Sequence, residues 1–110
     1  MPIDYNIYSG TVFTRENLTF NSGGYKLTDI SSIILSNLVT TIGDNCFEGL
    51  TNLTKIQFGT NLQSIGANCF ANSGLQTIVY NGIEYNDSTS FANVFGIQRI
   101  GLNAFSGTNF

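Results

Sequence analysis

The chain has 110 residues, 10% of them charged, a net charge of −3 and no histidine. Its length suits one domain with a core of its own, and its four cations, Arg15, Lys26, Lys55 and Arg99, are scattered. A phosphate-tracking surface needs clustered positive charge, so nucleic-acid binding is not expected.

Residues 1–26 are rich in aromatics (Tyr5, Tyr8, Phe13, Phe20, Tyr25) and end just after Gly23-Gly24. The start, Met1-Pro2-Ile3-Asp4-Tyr5, has neither a basic n-region nor an apolar run, so no signal peptide is read there. No window approaches the length of an apolar membrane span, and membrane insertion is not expected.

From residue 27 onward the sequence repeats itself. Ile42-Gly43-Asp44-Asn45-Cys46-Phe47 recurs 23 residues later as Ile65-Gly66-Ala67-Asn68-Cys69-Phe70. It returns 35 residues further on as Ile100-Gly101-Leu102-Asn103-Ala104-Phe105. Ile30, Ile33, Leu35 and Val39 precede the first copy as Leu53, Ile56, Phe58 and Leu62 precede the second. Leu75, Ile78 and Tyr80 begin the third, and Ile97 restores its register after an insertion at about 81–94.

The apolar alternation predicts one short strand per unit, with a second inward segment at Val39, Leu62 and Ile97. A lone strand cannot bury its inner face, so the units are expected to stack into a solenoid with residues 1–26 as its N-terminal cap. The recurring Gly marks either a positive φ or a tight approach between coils. The Asn after it would satisfy backbone groups at the turn into a short helical stretch, whose Phe plugs the core.

The insertion opens with Asn81-Gly82, a hairpin-turn signal, and Ile83 and Tyr85 alternate beyond it. The chain stops five residues after Phe105. An uncovered last coil would expose apolar surface and strand edges. The C-terminal end is therefore expected either to be buried in a homo-oligomer contact or to lie under the insertion.

Leu-x-x-Ile-x-Phe followed by Leu-x-x-Ile-Gly-x-x-Cys/Ala-Phe, repeating every 23 residues, resembles the BspA-type leucine-rich repeat over roughly residues 27–107. That resemblance implies a mostly β, open solenoid with short strands and short helical turns on its convex side. It also implies a non-enzymatic binding or adhesion module, engaging a protein or a surface glycan at a cell surface, outside the cell or on a virus particle. A self-assembling subunit of a particle, fibre or filament is the alternative.

Catalytic chemistry finds little support. Without histidine the commonest general base and metal ligand is missing, and no Gly-Lys-Ser/Thr run forms a phosphate loop. The carboxylates are dispersed; Asp44 with Glu48 is a weak pair, and Glu84 with Asp87 reads better as a solvated loop than as a calcium site. No cofactor is expected. Cys46 and Cys69 share a slot that Ala104 fills in the third copy, which favours buried, reduced thiols. The sequons at Asn17, Asn52 and Asn86 are read as chance matches.

The outward positions of the predicted strands remain as the binding candidates. They are Ser32, Ile34, Thr54, Lys55, Gln57, Gln76, Thr77 and Val79, joined by Tyr85 from the insertion.

Overall fold

A computed structural model describes residues 2–5, 10–20, 29–92 and 97–110. Tyr8, Gly23, Gly24, Tyr25 and Lys26 of the expected cap, and positions 93–94 of the insertion, lie outside them.

In chain order the elements are β1 (Pro2–Tyr5), β2 (Val12–Phe13), α1 (Arg15–Phe20), β3 (Ser32–Leu35), β4 (Thr41–Ile42), β5 (Lys55–Phe58), β6 (Ser64–Ile65), β7 (Thr77–Tyr80), β8 (Ile83–Tyr85), α2 (Ser88–Ala92) and β9 (Arg99–Ile100). The chain is mostly strand and turn, with few and short helices.

Each repeat adds one strand to each of two sheets. One sheet runs β1-β3-β5-β7-β8 and the other β2-β4-β6-β9. Pairing is parallel except at β7–β8, and it is in repeat register: Ile33 lies opposite Ile56 and Ile56 opposite Ile78. In the second sheet Ile42 meets Ile65 and Ile65 meets Ile100. The period of two along each strand therefore becomes columns of identical or similar side chains across strands.

Between the sheets these columns form one core. Ile33, Ile56 and Ile78 line it from one side, and Ile42 and Ile65 from the other, all essentially buried. Val39 and Leu62 are buried as expected, while Ile97 is only partly so. The repeat phenylalanines stack through the middle, with ring centroids 5.1 Å apart for Phe47–Phe70 and 5.6 Å for Phe70–Phe105. Phe13 extends the column at 6.1 Å from Phe47. Offset aromatic stacking adds a specific geometry to the apolar burial, which helps hold the coils in register.

The segment that carries each Phe is a run of turns and holds no α-helix. It bonds to the next coil through its backbone. The N–H groups of Asn45, Phe47 and Gly49 donate to the carbonyls of Ala67, Cys69 and Ala71. Those of Asn68, Phe70 and Asn72 donate in turn to Leu102, Ala104 and Ser106. Every second residue points its N–H forward, so this ladder ties the coils together on a third side.

Left-handed backbone at the asparagines makes this path possible. Asn45, Asn68 and Asn103 have φ of 59°, 53° and 59°. Gly49, Asn72 and Gly107 form a second left-handed column at 76°, 57° and 75°. Asparagine tolerates this region better than other residues with a Cβ. The Ile-Gly glycines are not left-handed; of the two expectations for them, close approach holds at Gly66 and Gly101. A Cβ on Gly66 would lie 2.5 Å from the backbone nitrogen of Asp44, and one on Gly101 would run into the backbone of Ala67.

At the N-terminal end, β1 and β2 take the first place in each sheet, parallel to β3 and β4. The first 13 residues thus supply strands in the same two layers as the repeats. Arg15, at the start of α1, closes the turn ladder. Its guanidinium donates to the carbonyls of Cys46 (3.2 Å) and Glu48 (2.8 Å). These occupy the repeat positions of Cys69 and Ala71, which elsewhere accept from a preceding coil.

At the other end the insertion folds over the core. Asn81 (φ 54°) and Gly82 (φ 74°) make the two-residue turn that their sequence signals, with both residues left-handed. β8 then pairs antiparallel along the edge of β7. Phe91 of α2 is fully buried, 6.1 Å from Phe105 and 6.0 Å from Phe110.

Candidate functional site

The alternation of β3, β5 and β7 sends one set of side chains inward and the other to the outer face of the larger sheet. Register then sorts the outer set into two rows. Ser32, Lys55 and Thr77 form one, and Ile34, Gln57 and Val79 form the other. Antiparallel pairing adds Glu84 to the second row opposite Val79. The backbone register continues onto β1, with Pro2 opposite Ser32 and Asp4 opposite Ile34.

Lys55 and Gln57 are exposed, and Ser32, Ile34, Thr77 and Val79 are partly so. Thr54 and Gln76 sit exposed just before β5 and β7, along the same rim. Thr54 donates its hydroxyl to the carbonyl of Ser31 at 3.3 Å, and Thr77 donates to Oδ1 of Asn86 at 3.0 Å. Lys55 and Glu84 form an exposed ion pair at 3.7 Å, the kind of surface pair that contributes little to stability. The face is thus a small polar platform with two aliphatic side chains and one opposed pair of charges.

Eight of the nine sequence candidates come together here. Tyr85 does not join them. It lies opposite Ile78 on the inner side and packs against Phe91 with ring centroids 5.7 Å apart. The chain reverses at Asn81-Gly82, so the outward residue of the hairpin is Glu84. Counting back from a two-residue turn pairs position 79 with 84, and that count was available in the sequence.

Three further carboxylates, Asp44, Glu48 and Asp87, have structural partners. Oδ1 of Asp44 accepts from the N–H of Ala67 at 2.8 Å, and Oε1 of Glu48 accepts from Nδ2 of Asn45 at 2.8 Å. Asp87 caps α2, accepting from the N–H of Ser90 at 2.8 Å. Among the described residues no group of three His, Cys, Asp or Glu side chains is placed to hold a metal ion.

Cys46 and Cys69 are free thiols buried in the core. Burial pushes both far above the ordinary thiol range, and for Cys69 the neighbouring Cys46 adds to the effect. Burial keeps both thiols protonated and weakly nucleophilic, with Arg15 only partly opposing it at Cys46. No helix among the described residues is long and apolar enough to cross a membrane.

The chain matches the family model described as a BspA type leucine-rich repeat region (6 copies) over residues 18–110. No curated protein matches the chain, and no solved structure matches it.

Proposed function

The chain belongs to the BspA-type leucine-rich repeat family, and from that premise we propose that it is a short solenoid whose outer sheet face binds an extended polar segment of a partner protein, without catalysis. Leucine-rich repeats generally mediate protein binding and are typically non-enzymatic, and BspA-type repeats are often found on surface or extracellular proteins. Adhesion to a protein or glycan displayed on a surface is the setting this favours. One observation carries the reading: in-register strands align Ser32, Lys55 and Thr77 beside Ile34, Gln57 and Val79 on one face.

Size limits the partner. Five strands about 4.8 Å apart, three or four residues long at about 3.3 Å each, give a platform of roughly 300 Å². A stable protein–protein interface buries about 800 Å² on each side. The face therefore suits a peptide or a projecting loop, with Ile34 and Val79 as apolar anchors and polar neighbours fixing register. Low charge makes such binding weakly sensitive to salt.

The test is selection from a displayed peptide library against the wild-type chain and against Gln57→Arg with Val79→Glu. Peptides enriched on the wild type should lose at least about tenfold in affinity for the double variant, with binding nearly constant between low and high salt. Equal recovery by both proteins would sink the reading.

A further inference from the structure

The two ends of the turn ladder differ. At the N-terminal end Arg15 fills the acceptor positions on Cys46 and Glu48. At the last coil nothing in the described structure plays the matching part. In the second coil the N–H groups of Asn68, Phe70 and Asn72 are taken by the third coil, and the carbonyls of Gln63 and Ile65 accept from Gln98, Arg99 and Gly101. Shifted to the third coil, these groups are the N–H of Asn103, Phe105 and Gly107 and the carbonyls of Gln98 and Ile100. None of these has a bond within the described residues. Gln98, Asn103 and Gly107 are exposed, and Leu102, between the two arms, is 78% exposed.

This edge is complementary to itself. Acceptors lie on one side of Gly101 and donors on the other. A two-fold axis through that corner brings the carbonyl arm of one copy against the N–H arm of its mate. Asn103 and Phe105 of each copy then donate to Ile100 and Gln98 of the other, and the two Leu102 side chains meet near the axis. An isologous contact needs this self-matching pattern.

Head-to-tail stacking would need a coil edge at the N-terminal end that accepts the same N–H groups, and Arg15 already occupies two of its three acceptors, the carbonyls of Cys46 and Glu48. We therefore propose that a second copy of this chain docks on the edge of the last coil, at Gln98–Ile100 and Asn103–Phe105, and forms a closed two-fold dimer.

Sedimentation of the purified chain over a wide concentration range, alongside Leu102→Asp, tests this. The wild type should sediment as a dimer that dissociates on dilution. Leu102→Asp should be monomeric with an unchanged far-ultraviolet circular dichroism spectrum and the melting temperature of the wild type diluted to monomer, because Leu102 is outside the core. Amide exchange at Asn103 and Phe105 should slow at least about tenfold in the dimer relative to the variant. A wild type that stays monomeric at high concentration overturns the proposal. So does a mass that keeps growing beyond two copies, or a Leu102→Asp variant that dimerises as well as the wild type.

Discussion

Replacing the Ile-Gly glycines by alanine one at a time separates the two roles such a glycine can have. Gly43, Gly66 and Gly101 occupy one repeat position, and none has a left-handed φ, so a shared conformational demand would make all three changes alike. Their surroundings are not alike. A Cβ on Gly43 lies 3.4 Å from Cγ2 of Thr14 and 3.6 Å from the carbonyl oxygen of Phe13, which is ordinary contact. A Cβ on Gly66 lies 2.5 Å from both the backbone nitrogen and Oδ1 of Asp44. Relieving that overlap means moving one coil against the next by about 1 Å, at a typical overpacking cost of 1–3 kcal/mol.

The same movement stretches two inter-coil bonds, Gly66 N–H to Ile42 carbonyl and Ala67 N–H to Asp44, both 2.8 Å. Stretching costs about half of each bond's ~1 kcal/mol, which brings the expected loss for Gly66→Ala to about 2–4 kcal/mol. Gly43→Ala should fall within about 0.5 kcal/mol of the wild type, or gain slightly from a stiffer unfolded chain. Urea unfolding followed by circular dichroism reads both, with the Gly66→Ala midpoint lower by about 1–2 M. If Gly66→Ala unfolds with Gly43→Ala, close approach is not why these glycines recur.

Arg15→Ala should cost about 1–2 kcal/mol in the same assay, since it strips a charged donor from the carbonyls of Cys46 and Glu48; a loss no larger than that of Glu16→Ala would refute the closing role. Phe91→Ala should cost about 3–5 kcal/mol and open the 81–92 hairpin to limited proteolysis. An unchanged digestion pattern would show that Phe91 does not hold the insertion down. Both thiols have folded pKa values raised by burial, so their contribution is complete below the ordinary value of 9.0 and falls as pH rises beyond it. By about pH 10 the unfolded chain gains about 1.4 kcal/mol per ionised thiol. The double variant Cys46→Ala with Cys69→Ala should lose this alkaline sensitivity. Thiol reagents at neutral pH should label the native protein only at its rate of opening.

Much of this architecture is legible in the sequence because repetition turns one-dimensional spacing into contacts. Once Ile42, Ile65 and Ile100 are aligned, the pairing of every strand between them follows, and with it the two outer rows. The Asn81-Gly82 hairpin is legible for a local reason, since only certain residues accept two left-handed positions in succession. What repetition does not reach is harder to read. Ile3 pairs with Ile33 and Phe13 with Ile42 at separations unlike the 23-residue period, so β1 and β2 are hidden in a segment without the repeat's spacing.

The left-handed turn residue falls on Asn45, Asn68 and Asn103, because asparagine accepts that backbone region more readily than other residues with a Cβ. Arg15 and Phe91 act over long separations, on carbonyls about 30 residues away and on rings from several coils. No periodicity announces contacts of that kind. Tyr85 shows the cost of carrying alternation through a turn without counting the pairing, and Glu84 is the residue that count reveals.

The reversal at β8 also governs how this fold could grow. A unit copied into the chain after Tyr85 would find the β7 edge already occupied by β8, which runs antiparallel to the rest of its sheet. A unit copied between Thr41 and Ser64, where both neighbours are parallel, would be received by both sheets and by the turn ladder. Lengthening by duplication is thus open in the middle of the array and closed on one of its two walls at the hairpin. An engineered chain with one 23-residue unit duplicated there should fold with the same hairpin and one more stacked phenylalanine.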